Sequence, residues 1–102
     1  MTWIRACDAA TIDDGEAVVV ERLPLPPVAV FNVDGDFYAT DDTCTHDKYS
    51  LADGYIDNDI VECPLHMAKF NIRTGKVLSL PATRDLVSYP VKIEHGIVFV
   101  DV

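Results

Sequence analysis

The chain has 102 residues and 49% hydrophobic content, enough to close one core but not two, and too apolar for a disordered chain. Seventeen acidic side chains against 8 basic ones give a net charge of −9, which argues against nucleic acid and suits docking on a basic patch of a partner protein. There is no apolar run of about 18 residues to span a membrane, residues 1–8 turn acidic too early for a signal peptide, and an odd count of three cysteines disfavours a disulfide framework, so a reducing cytoplasm is expected.

Strand signals dominate the rest. Residues 9–14 can hold a short turn ahead of Gly15. Residues 17–21 form a β-branched run, whereas 23–27 contain three prolines and read as a loop. Residues 28–33 and 37–40 are apolar runs around Asp34-Gly35-Asp36, a hairpin signal. Asp53-Gly54 marks a turn. Residues 60–63 follow Asp57-Asn58-Asp59 as a strand ending on Cys63, and 69–72 form a strand that enters a turn at 73–76. Residues 87–94 and 97–102 flank His95-Gly96, a second hairpin signal. Sustained 3.6-residue periodicity is absent, so the fold class is all-β, with a small sandwich or barrel as the natural solution.

The chemistry sits in two short segments. Cys44-Thr45-His46 and Cys63-Pro64-Leu65-His66 each offer one thiolate and one imidazole, with 16 residues between them. Short spacing within a segment lets each reach one centre from a single turn, and Pro64 restricts the second. A Rieske [2Fe–2S] centre needs this set, with both cysteines on one iron and both histidines on the other. Zinc also accepts two Cys and two His, and a zinc-stabilised interaction domain stays open as a reading. Zinc fingers usually pair like ligands, whereas Cys and His alternate here. The other polar candidates read as structural. Cys7 is expected to be a small, half-buried apolar residue, His95 a solvated turn residue, and Asp13-Asp14 and Asp41-Asp42 loop charges or caps. There is neither a phosphate loop nor a nucleophile-and-base pair, so the chain is not expected to be an enzyme.

Residues 44–55, the segment Glu62-Cys63-Pro64-Leu65-His66, and Lys69-Phe70, Thr74-Gly75-Lys76 and Pro81-Ala82 resemble the Rieske-type ferredoxins of bacterial aromatic-ring dioxygenase systems. The biphenyl, toluene and phenylpropionate dioxygenase ferredoxins are the nearest in pattern. The resemblance covers nearly the whole chain, including residues 31–35 and 89–91. It implies one Rieske domain over 1–102, with a base carrying a cluster-binding subdomain at about 40–82. It implies Cys44 and Cys63 on a buried iron and His46 and His66 on an outer iron, with residues 74–82 as a cover that excludes water. It also implies electron transfer from an NADH-dependent flavoprotein reductase to a terminal aromatic-ring dioxygenase, by a cytoplasmic and monomeric carrier. The small Rieske subunit of an assimilatory nitrite reductase is the rival within enzymes.

Departures from the pattern carry a consequence. Asp47 and Ala68 stand where relatives often have Gly. Respiratory-complex Rieske proteins place a disulfide at positions matching Tyr49 and Leu65, and hydroxyls at positions matching Ala68 and Phe70. Hydrogen bonds to cluster sulfurs raise the potential, so a low potential is expected for this chain.

Overall fold

Both hairpin signals fold as two-residue turns. Asp34 and Gly35 have φ of 53° and 87°, and His95 and Gly96 have φ of 53° and 75°. A type I′ turn needs positive φ at both positions, and its twist matches that of the strands it joins. Asp36 therefore belongs to the following strand, where it pairs with Val33. His95 is exposed at its hairpin tip, as expected.

The computed structural model describes residues 2–22, 25–45, 49–64, 67–80 and 84–102. Among these, the strands are β1 (Trp3–Asp8), β2 (Ala17–Arg22), β3 (Leu25–Val33), β4 (Asp36–Asp41), β5 (Tyr55–Asp57), β6 (Ile60–Glu62), β7 (Lys69–Asn71), β8 (Ser88–Tyr89), β9 (Val91–Glu94) and β10 (Ile97–Asp101). They form three antiparallel sheets, ordered β1-β10-β9, β2-β3-β4-β8 and β5-β6-β7. Short 3₁₀ turns occupy Ala9–Thr11 and Leu51–Asp53.

Strand β3 organises the packing. Every residue from 28 to 33 is buried. Side chains alternate across a strand, so the run feeds two cores. Val28 and Val30 join Ile12, Ala39, Val98 and Val100. Ala29, Phe31 and Val33 join Leu51, Val61, Phe70, Ile72 and Leu86. The one polar residue in the run, Asn32, is satisfied. Its Nδ2 donates to the Ile12 carbonyl (2.8 Å) and its Oδ1 accepts the Gly35 N–H (2.9 Å).

Three expectations are corrected. Residues 25–27 are strand rather than loop. The prolines are tolerated because this end of β3 supplies acceptors: the Pro27 carbonyl takes the Asp42 N–H (3.0 Å) and the Pro26 carbonyl takes Arg22 Nε. The single strand expected over 87–94 is broken at Pro90. Proline has no N–H to continue a ladder, so the chain leaves β4 after β8 and joins β10 as β9. Strands β1 and β5 were not expected. Strand β1 mixes Arg5, Ala6, Cys7 and Asp8, and its partner β10 lies at the other end of the chain.

A polar trio fastens β8 beside β4 and β2. The Tyr89 hydroxyl donates to Asp41 Oδ1 (2.6 Å) and accepts from the Arg22 guanidinium (2.8 Å). Burial, then the Asp41 carboxylate, raises the Tyr89 phenol above its ordinary value of 10.0. The neutral phenol is the form the fold favours, so its contribution is complete below pH 10.0 and is lost as pH rises through the raised folded value. Tyr89→Phe is expected to cost about 1 kcal/mol near neutrality and to flatten the alkaline loss of stability. Thermal unfolding of both proteins from neutral to alkaline pH checks this. An equally steep alkaline loss in the variant would place the titrating group elsewhere.

Candidate metal centre

The two cysteines of the paired motifs leave different sheets and meet in one core. Cys44 follows β4 by three residues and Cys63 follows β6 directly. Their exposures are 3% and 0%, and both pack in the cluster that holds Phe31, Leu51, Val61 and Phe70.

Each cysteine opens a loop that is closed at its neck by its own N–H. The Cys44 N–H donates to the Tyr49 carbonyl (2.9 Å), beside an antiparallel bridge between Thr43 and Ser50. The Cys63 N–H donates to the Ala68 carbonyl (2.7 Å), with Met67 in the left-handed region at φ 58°. The two loops are thus built alike, which brings both Sγ atoms into the apolar interior. Pro64 lies in the turn of the second loop.

The loops are braced against each other. Leu51, fully buried, anchors the turn after the first loop. The chain then passes β6 at Gly54, where a methyl group would drive into the Glu62 carbonyl oxygen, one residue before Cys63. A third stretch of chain contacts the first loop and β7. Its neck is the Leu86 N–H to Gly75 carbonyl bond (2.7 Å). The Leu78 N–H donates to the Lys69 carbonyl (2.8 Å), and the Thr45 hydroxyl donates to the Arg84 carbonyl (2.7 Å). Of the cover expected over 74–82, Leu78 touches β7, whereas the contact with the first loop comes from Arg84, two residues beyond that range.

His46 and His66 lie outside the described residues, as do Asp47, Leu65, Pro81 and Ala82. Ala68 and Phe70 are both fully buried beside the cysteines, so a methyl and a phenyl ring fill places where hydroxyls would be donors. Cys7 is half-buried and packs on the other core. Burial raises its thiol above the ordinary value of 9.0, against a hydrogen bond from Thr11 that lowers it. Asp14 Oδ1 accepts the Asp34 N–H (2.6 Å), the capping role expected of a loop acid. Sequence reasoning missed the close approach at Gly54 and the Thr45–Arg84 tie. The first had a signal in Asp53-Gly54, and the second had none.

The donor chemistry fits an iron–sulfur centre. Thiolates suit soft or sulfur-bridged metals, and a dry apolar shell holds them rigid and limits solvent. Over residues 2–90 the chain matches the family described as the Rieske [2Fe-2S] domain. It is 47% identical over 102 residues to the 3-phenylpropionate/cinnamic acid dioxygenase ferredoxin subunit of Escherichia coli (strain K12), covering 99% of this chain and 94% of that one. It is 50% identical over 102 residues to the biphenyl dioxygenase ferredoxin subunit of Pseudomonas sp. (strain KKS102), covering 99% and 93%. A chain in a solved complex of reduced oxygenase and oxidized ferredoxin in carbazole 1,9a-dioxygenase superposes with a TM-score of 0.93 at 41% identity, covering 96% of this chain and 91% of that one.

The contact at Gly54 has a measurable consequence. Gly54→Ala is expected to destabilise the fold by about 1–3 kcal/mol, the range for overpacking against a fixed wall. It should also lower iron retention, because the wall is the backbone that carries Cys63. Urea unfolding and iron per chain check both, and a variant equal to wild type in both would refute the bracing role.

Proposed function

Because the chain belongs to the Rieske [2Fe-2S] domain family, we propose that it carries single electrons from an NADH-dependent flavoprotein reductase to a terminal aromatic-ring dioxygenase. The observation that carries this reading is the pair of buried thiols at the heads of two similarly built loops in one core. Cys44 and Cys63 would hold the inner iron of a Rieske-type [2Fe–2S] cluster, and His46 and His66 the outer iron. When bound, the cluster supplies a one-electron couple whose potential is set by its ligands, nearby hydrogen bonds and exposure.

The chain's own residues supply the rest. The loop necks and the Leu51 anchor hold the ligand positions fixed, which limits the rearrangement that accompanies gain of an electron. Phe31, Val61 and Phe70 keep water from the inner side. By the family resemblance, residues of about 40–82 would form the cluster-binding subdomain, with a cover that starts at Thr74. The catalyst is the oxygenase, which also selects the aromatic substrate. The ferredoxin and oxygenase of the carbazole 1,9a-dioxygenase complex support the second partner. No helix among the described residues is long and apolar enough to cross a membrane. The carrier is read as monomeric and cytoplasmic, the compartment that an odd count of three cysteines favours. The excess of acidic side chains steers each partner by a basic surface.

The purified protein should be red-brown, and its dithionite-reduced form should give a rhombic EPR signal with average g below the free-electron value. A colourless protein with one zinc per chain would overturn the reading. With a methyl at Ala68 and a ring at Phe70, the midpoint potential should fall toward the bottom of the roughly −150 to +300 mV Rieske range. A value in its upper half would refute the argument from missing donors. The rate of reduction by the reductase should fall as salt rises, since screening shortens the reach of the acidic surface. A salt-independent rate would exclude steering.

A further inference from the structure

The chain enters its first ligand loop through a buried acid. Asp42 is 3% exposed and stands two residues before Cys44. Its Oδ1 accepts the Ser50 hydroxyl (2.9 Å) and the Ala52 N–H (3.0 Å). Its N–H donates to the Pro27 carbonyl (3.0 Å), and its carbonyl accepts the Leu51 N–H (2.7 Å). Four hydrogen bonds therefore join the start of β3, the entrance of the loop and its exit at one residue. The Thr43–Ser50 bridge and the Cys44–Tyr49 bond need entrance and exit in register, and the Asp42 carboxylate bonds to Ser50 and Ala52 fix that register. Burying a carboxylate costs free energy that an amide in the same place would largely avoid.

We propose that Asp42 is a positioning residue for the iron–sulfur cluster: its carboxylate locks the exit of the first ligand loop to its entrance, and its negative charge disfavours the added electron. The proposal rests on the reading of Cys44 and His46 as ligands. Interior charges act strongly on one another because the protein screens them less than water does, so a negative charge in this loop lowers the potential. The main-chain bonds of Asp42 survive substitution, which separates the carboxylate from the fold.

Three holoprotein variants test this. Asp42→Asn keeps an acceptor oxygen and removes the charge, Asp42→Ala removes both, and Ser50→Ala removes one donor and leaves the charge. The readouts are iron and sulfide per chain, the EPR spectrum, the midpoint potential and hydrogen exchange of peptides spanning residues 43–52. Asp42→Asn should retain iron and shift the potential positive. Asp42→Ala should lose iron and exchange about tenfold faster across 43–52, the loss of a buried hydrogen bond. The Asp101 and Val102 amides, bonded to Pro90 and Thr2 in the base, should keep wild-type protection. Ser50→Ala should speed exchange in the loop with little change in potential. Wild-type potential in Asp42→Asn together with wild-type exchange in all three would overturn the proposal. So would faster exchange spread equally over loop and base, the mark of a merely structural role. If Asp42→Ala fails to fold, Asp42→Asn and Ser50→Ala decide by the same criteria. A wild-type protein without the rhombic signal refutes the functional reading instead, and the exchange of Ser50→Ala and Asp42→Asn then still decides the positioning role.

Discussion

From Val28 to Val33, strand β3 has no solvent face. Residues 28–33 are buried on both sides, and every other contact that shapes the site is built from that condition. A strand in this position must be apolar at each step, because either face would otherwise bury an unpaired polar group. Asn32 is the exception, and it is held by bonds to Ile12 and Gly35. One face, through Val28 and Val30, closes on β10 and makes a base. The other, through Ala29, Phe31 and Val33, receives Leu51, Val61 and Phe70 and so fixes the ground on which both cysteine loops stand. A change at Phe31 is felt at Cys44 and Cys63 because they share its core.

This arrangement makes the two cysteines part of the hydrophobic interior. The cysteines are buried in the cluster of Phe31, Leu51, Val61 and Phe70, and their N–H groups close the loops. At Ala68 and Phe70 carbon stands where a hydroxyl would be a donor, and an interior acid, Asp42, would work in the same direction. The same apolar packing that makes the loops rigid would also keep the potential low. A carrier placed between a reductase and an oxygenase gains from both, since fixed ligands lower the cost of each transfer.

Much of the fold was legible where the signal was local. Asp34-Gly35 and His95-Gly96 declared their hairpins, because only a few residue pairs accept positive φ twice in succession. The strand ending on Cys63 and the turn at Asp53-Gly54 were likewise visible. What escaped was set by distant partners. Strand β1 is held by β10 at the opposite end of the chain, and its own composition carries no strand signal. Leu25, Pro26 and Pro27 read as loop because prolines lack donors, yet the carbonyls of Pro26 and Pro27 accept hydrogen bonds and Leu25 pairs with Arg22. Pro90 sits inside the stretch read as one strand, and it divides that stretch between two sheets. At the site, residue type and spacing announced that the two cysteines would come together, whereas nothing in the sequence announced that Asp42 would be buried. An aspartate in a loop looks the same whether it faces water or accepts the hydrogen bonds of the turn that follows.

The two cores divide the work. Val28, Val30, Ala39, Val98 and Val100 pack without any residue of the cysteine loops, so the base has its own source of stability. The second core includes Cys44 and Cys63 themselves, and some of its packing is provided by the groups that would hold the metal. Marginal local stability belongs where a site must load its cofactor, and high stability belongs in the frame that locates it. Because β3 is common to both, the frame is never more than one side chain away from the site. The loops can be short for the same reason. They need only close their own necks, at Cys44–Tyr49 and Cys63–Ala68, since the wall behind them is already fixed.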